Sequence, residues 1–236
     1  MTPPAIDAKA LCRRYGRRWA LIDVSFTVPR GQVWMVAGRN GSGKSTLLRI
    51  LSTAIRADRG SAWVEGHSLR HAQEVRKRVA ILSHHSYLYE ALSALENLEV
   101  AARFLDRPFQ RAALLPLLEG VGLADRADDP PATFSAGMRK RLALARVLLQ
   151  DAPVVLLDEP YGQLDPPGFR LVDGLVASLR AKGATVLMAT HLLERTSALC
   201  DGGFVLEAGR LAWAGRAADL PREGGLHAAN AAEAPA

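Results

Sequence analysis

Only two cysteines, Cys12 and Cys200, occur in the 236-residue chain. They stand far apart and without CxxC spacing, which excludes a cysteine-built metal module and a disulfide framework and leaves two free thiols as the expectation. Long hydrophobic runs are missing too: no window approaches 18 consecutive apolar residues, so no transmembrane helix is expected. The N-terminal "MTPPAIDAKA" lacks the basic-then-apolar layout of a signal peptide, and the expected location is the cytoplasm. Acidic residues are the scarcer charge, 24 against 30 Lys and Arg, giving a formal +6 that favours an acidic partner or an anionic membrane face. The basic residues fall in short clusters (Arg13, Arg14, Arg17, Arg18; Arg76, Lys77, Arg78; Arg139, Lys140, Arg141). These read as solvated surface, and no nucleic-acid partner is expected.

What remains is an ordinary globular composition, 49 % apolar and 23 % charged, long enough for one large domain or a domain with a subdomain. "RWALIDVSFTV" alternates apolar and polar residues and reads as a half-buried strand paired with "AIDAKALC". "VWMVA", "APVVLLDEP" and "GATVLMATH" are short, nearly continuous apolar runs of the kind found in buried parallel strands. "GSAWVEGHSL" and "RVAILS" suggest further strands, and "GGFVLEAGRLAWAG" a closing hairpin. Helical patterns occupy "KSTLLRILSTAI", "FRLVDGLVASLRAKG" and a block from about Ser93 to Gln150, broken at "ADRADDPPATF". Pro116 lies inside one of these patterns and predicts a kink or a restart. This order implies a mixed sheet with flanking helices and an inserted helical block, one domain over residues 1–220. The alanine- and glycine-rich residues 221–236 are expected to be poorly ordered.

"GRNGSGKS" fits G-x-x-x-x-G-K-[ST] between a strand and a helix. Gly38, Gly41 and Gly43 permit a tight loop in which the amides of Arg39, Asn40, Ser42, Ser45 and Thr46 can surround phosphate at a helix N-terminus. Lys44 is then expected to reach the outer phosphates and Ser45 to place its hydroxyl on Mg²⁺. In "VVLLDEP" an acidic pair ends a buried strand, where open α/β sheets bind ligands. Asp158 is the candidate for holding Mg²⁺, indirectly or through water, and Glu159 for polarising the attacking water. In "FSAGMRKRLALAR", Ser135 is placed as an N-cap, and Ala136 and Gly137 leave amides open at a helix start, a second phosphate-binding arrangement. "ATH" ends a strand at His191, within reach of a γ-phosphate or the attacking water.

These motifs in this order resemble the ATP-binding subunit of ABC transporters over about residues 5–215. The resemblance implies an α/β fold: a P-loop NTPase (RecA-like) core with an antiparallel β subdomain and an inserted α-helical subdomain at about residues 93–150. It implies Mg²⁺ and ATP as ligands, hydrolysis of ATP, and a head-to-tail homodimer with two ATP molecules between the phosphate loop of one chain and the signature helix of the other. Ser135, Ala136 and Gly137 would touch the opposite chain's γ-phosphate, Leu164 and Asp165 form the D-loop, and Tyr15 stack on adenine. An integral-membrane permease would be a separate chain, with this subunit docked on its inner face.

The chain departs from the family pattern in places. The signature reads Phe134-Ser135-Ala136-Gly137-Met138 where LSGGQ is usual, and "GQLD" lacks the common serine-alanine pair. The Q-loop glutamine, a Mg²⁺ or water contact, falls on His84; neutral imidazole offers one acceptor nitrogen. His84 with His85 invites a metal reading, but neighbours in extended chain point to opposite sides and cannot share one ion. His84, "LSALENL" and SAG together resemble the haem-exporter ATP-binding subunits of cytochrome c maturation. Export of drug, lipid or polysaccharide, a permease-free assembly ATPase, and a regulatory module with little turnover are the competing expectations. Intact Lys44, Asp158, Glu159 and His191 argue against the last of these.

Overall fold

The computed structural model describes residues 3–83 and 87–220. β1 (Ile6–Tyr15) and β2 (Arg18–Val28) form an antiparallel hairpin with Tyr15 opposite Arg18. The apolar run β3 (Val33–Ala37) then feeds the glycine loop and α1 (Lys44–Leu51). β4 (Arg59–Val64) and β5 (His67–Ser68) add to the hairpin as an antiparallel sheet of order β2-β1-β4-β5. After α2 (Ala72–Arg76) and β6 (Val79–Leu82) comes the helical block α3 (Ala94–Phe104), α4 (Arg111–Gly120) and α5 (Ala136–Gln150). The chain continues through β7 (Val154–Asp158), α6 (Pro166–Ala181), β8 (Thr185–Ala189) and α7 (Leu193–Ser197). The hairpin of β9 (Gly202–Glu207) and β10 (Arg210–Arg216) completes a second sheet of order β10-β9-β3-β8-β7-β6. Its strands are parallel except at β9/β10.

The two-residue side-chain period of a strand divides the interior into two cores. Leu156 of β7, Leu187 of β8 and Val36 of β3 face one side with α1 and the antiparallel sheet. Val155, Leu157, Val186 and Met188 face the other side with α3 to α6. Burial on both faces explains why β7 and β8 read as continuous apolar runs, every residue of each being buried. The mixed α/β architecture expected from the sequence is the one observed.

The helical block starts at Ser93, whose hydroxyl accepts from the Glu96 amide while the Glu96 carboxylate accepts from the Ser93 amide, a capping box. Buried Asn97 then ties down the preceding loop, its side chain bonding Tyr89 N–H and the carbonyls of Tyr89, Leu92 and Ser93. Pro116 does not restart its helix: α4 runs continuously through it. Pro116 is exposed between the fully buried Leu114 and Leu118, so packing on both sides holds the helix across the missing hydrogen bond. The β9–β10 turn is held at a corner of the molecule. The Gly209 carbonyl accepts from Ile22 of β2, and the Gly209 amide donates to the Ser42 carbonyl in the glycine loop.

Candidate functional site

Tight packing fixes the path of the glycine loop. A Cβ on Gly38 would lie 2.3 Å from the Leu206 carbonyl oxygen, and one on Gly43 would lie 2.4 Å from that of Ala20. Gly43 also has φ 109°, outside the range a side-chain-bearing residue adopts freely. The loop closes with Ser42 N–H donating to the Arg39 carbonyl, while Asn40 and Gly41 are exposed at its rim and Thr46 is half-buried in the first turn of α1. Lys44 is buried and folds back, its ammonium donating to the Gly38 carbonyl at 2.7 Å and the Arg39 carbonyl at 3.2 Å. Burial lowers its pKa, opposed by the carboxylates of Glu159 and then Asp158.

β7 delivers the acidic pair. Asp158 is buried and accepts from the Ser45 hydroxyl at 2.9 Å, joining the end of β7 to the first turn of α1. Glu159, one residue on, has φ 47°, the left-handed region that costs a non-glycine residue about 1–3 kcal/mol. Its carboxylate lies 2.9 Å from His191 Nδ1 and 3.9 Å from Lys44 Nζ. Its amide donates to the Ala189 carbonyl at the end of β8, and its own carbonyl accepts from Gly162 N–H and Lys140 Nζ. Lys44, Ser45, Asp158, Glu159 and His191, chosen from separate motifs, therefore meet at the C-terminal ends of the parallel strands.

The second candidate phosphate motif opens α5. Ser135 caps α5, accepting from Met138 N–H, and Ser135 and Ala136 are exposed. Gly137 packs where a Cβ would stand 3.1 Å from the Gln163 carbonyl. Asp165 is engaged within its own chain: it caps α6 through Gly168 N–H and pairs with Arg141. The backbone bond from Gly168, followed by Arg141, outweighs desolvation and holds its carboxyl below the usual range. The basic triplet read as solvated surface is thus employed inside the fold. Arg139 donates to the Pro131 carbonyl, Lys140 to that of Glu159, and Arg141 to Asp165. Sequence spacing could not reveal these bonds because each partner lies in a different segment.

Sequence reasoning also missed a network behind the acidic pair. Tyr161 is buried, and its hydroxyl donates to Asp173 of α6 at 2.8 Å. Asp173 in turn pairs with Arg195 of α7, whose guanidinium lies 5.1 Å from the Phe169 ring. Burial first, then the Asp173 hydrogen bond and charge, hold the phenol well above its usual pKa. Tyr161→Phe is expected to cost about 1 kcal/mol in urea unfolding. Because Asp173 keeps Arg195, ATP affinity should stay at the wild-type value in the same samples.

Tyr15 ends β1 on a hairpin whose second strand abuts the glycine loop at Ala20 and Leu21. Its ring is exposed, with the Arg13 guanidinium 5.0 Å from the ring centroid. His84 and His85 lie outside the described residues. On either side of them, Ser83 and Tyr87 line an open cleft with Phe104 and Arg146, and Ser45 and Asp158 border the same space.

Among the described residues no group of three His, Cys, Asp or Glu side chains converges on one point. Mg²⁺ is commonly held by one or two carboxylates with substrate phosphates and water, so the hydroxyl–carboxylate pair Ser45 and Asp158 fits as the protein's share. Ser42 Oγ, buried in the glycine cradle and without a hydrogen-bond partner, marks polar capacity that an entering phosphate could use.

Residues 21–162 match the ABC transporter family. The chain is 41 % identical to a daunorubicin resistance ATP-binding protein of Streptomyces coeruleorubidus, over 95 % of this chain and 72 % of that protein. It is 36 % identical to a Nod factor export ATP-binding protein of Ralstonia nicotianae, over 88 % of this chain and 65 % of the relative. A lantibiotic transport ATP-binding protein of Streptococcus pyogenes is 34 % identical over 84 % of this chain and 85 % of its own length. Among solved structures, an ATP-binding subunit of an ABC transporter superposes with TM-score 0.83 at 30 % identity, covering 94 % of both chains. A dimeric bacterial ABC transporter cassette gives TM-score 0.83 at 25 % identity over 90 % of this chain and 98 % of that one.

Proposed function

The chain belongs to the ABC transporter family as an ATP-binding, ATPase domain, and from that premise we propose that it powers export of a drug-type molecule through a separate membrane permease. The convergence of Lys44, Ser45, Asp158, Glu159 and His191 carries the hydrolytic part of this reading. Lys44 and the amides of Gly38–Ser45 would bind and orient the triphosphate, with the buried cradle excluding water from its inner face. Ser45 and Asp158 would hold Mg²⁺, which when bound supplies charge neutralisation on the phosphate oxygens. Glu159 would orient a water and take its proton at a carboxylate oxygen, while His191, bonded to that carboxylate, holds its orientation.

No helix among the described residues is long and apolar enough to cross a membrane, and the proposed partner is a membrane permease. The cleft beside Ser83, Tyr87 and Phe104 is the proposed permease contact, on the cytoplasmic face of the membrane. The exposure of Ser135 and Ala136 at the start of α5 supports a head-to-tail dimer in which they meet the partner's ATP. Tyr15 would stack on the adenine of the chain's own nucleotide.

Drug export rests on the daunorubicin resistance and Nod factor export relatives. The haem expectation finds no support in the relatives named above, and its principal residue, His84, lies outside the described residues. Deleting the gene is expected to make cells retain a fluorescent amphiphilic drug, with recovery of efflux from a wild-type copy but not a Lys44→Ala copy. Unchanged drug retention together with loss of haem-dependent cytochrome c assembly would restore the haem reading.

A further inference from the structure

Glu159 must aim its carboxylate from a backbone conformation that a glutamate disfavours, φ 47°. Its peptide is therefore fixed from outside. On the amide side, the donor bonds to the Ala189 carbonyl, at the end of the strand that precedes His191. On the carbonyl side, the oxygen accepts from Gly162 N–H at 3.1 Å within its own turn. The same oxygen accepts from Lys140 Nζ at 2.9 Å, a donor from a different element.

We infer that Lys140 is a positioning residue for hydrolysis: its ammonium fixes the Glu159 peptide and thereby the direction of the carboxylate. The inference rests on the proposed role of Glu159 as base and adds the element that controls it. Lys140 is half-buried on the second turn of α5, and its stem crosses from that helix to the acidic turn. Alongside it, Arg141 pairs with Asp165, and Gly137 lies against the Gln163 carbonyl. The start of α5 is thus joined at three points to residues 159–165. A shift of α5 along its axis pulls directly on the Glu159 carbonyl. In the proposed head-to-tail dimer, Ser135–Gly137, at the tip of the same helix, would take the push of the partner's phosphate. Lys140 converts that push into a change of angle at the carboxylate, because the preceding peptide, on the other side of the Glu159 Cα, is anchored on β8.

Loss of this bond would misdirect the carboxylate without touching the glycine loop. In the full-length chain, Lys140→Met keeps the stem and removes the donor. ATP turnover at saturating nucleotide is expected to fall about 10- to 100-fold, the range for slight misplacement of a reacting group. ATP affinity, measured by fluorescent nucleotide titration, should be unchanged, and Lys140→Arg, which keeps a cationic donor, should recover most of the turnover. In a Glu159→Gln background, Lys140→Met should lower residual turnover by less than about twofold, since it acts through the group already removed. An equal loss in both backgrounds would show a merely structural contribution and overturn the inference. Wild-type turnover in Lys140→Met beside an inactive Glu159→Gln overturns it while leaving the base assignment standing. Normal turnover in Glu159→Gln alone removes the base assignment and this inference together.

Discussion

Glu159→Gln is expected to bind ATP as the wild type does and to lose about 100- to 10,000-fold in steady-state turnover, the range associated with removing a general base. The amide replaces the carboxylate at nearly the same volume and can still bond His191 Nδ1, now 2.9 Å from Glu159 Oε2, so the site should keep its shape. What disappears is a proton acceptor and one negative charge. That charge lies 3.9 Å from the buried Lys44 ammonium and is the larger of the two carboxylate effects that oppose the lowering of the lysine's pKa by burial. Its loss lowers the Lys44 pKa further in the empty site, while bound triphosphate supplies more negative charge than the substitution removes. Binding therefore survives and chemistry does not. With hydrolysis blocked, the ATP-bound dimer should persist, running on size-exclusion chromatography at twice the monomer mass in ATP and Mg²⁺ and as monomer in ADP. Unimpaired turnover would overturn the assignment of Glu159. Silent turnover without dimer would retain it and remove the head-to-tail arrangement.

The second large effect is steric. Gly43→Ala should abolish measurable ATP binding and lower stability by about 2–4 kcal/mol, combining backbone strain with overpacking. The new methyl would stand 2.4 Å from the Ala20 carbonyl oxygen and 2.8 Å from Leu21 Cδ2, and strand backbone has little room to retreat. Gly41→Ala provides the comparison. Gly41 also has positive φ, 82°, but nothing lies within 4 Å of its Cβ position, so only conformational strain of about 1 kcal/mol is added. Thermal unfolding and nucleotide titration of the two variants separate the causes. Similar losses in both would mean that backbone conformation, not the contact with β2, fixes the loop.

The motifs of the site were legible because their chemistry is local. Gly38–Ser45 carries its own loop geometry, and the apolar run before Asp158 announces a strand that ends where ligands bind. The hairpin from Gly202 to Arg216 was readable for the same reason: two short apolar runs and a glycine turn lie within one stretch. What escaped notice depends on contacts between segments. Lys140 meets Glu159 across 19 residues and Tyr161 meets Asp173 across 12, spacings with no helical or strand period. As part of a basic triplet, Lys140 had the pattern of a solvated face, and only the position of α5 against the acidic turn gave it a partner. Pro116 carries the opposite lesson. The helix does not restart there, and buried leucines stand on either side of it.

The Gly209 corner has a mechanical consequence. One residue receives a bond from Ile22 and donates one to Ser42, so the antiparallel hairpin ending at Tyr15 and the loop ending at Lys44 share a fixed pivot. In the proposed reading, with the base on Tyr15 and the phosphates at Lys44, both ends of the nucleotide would be set by one hydrogen-bonded unit. The helical block packs on the opposite face of the sheet, away from that corner.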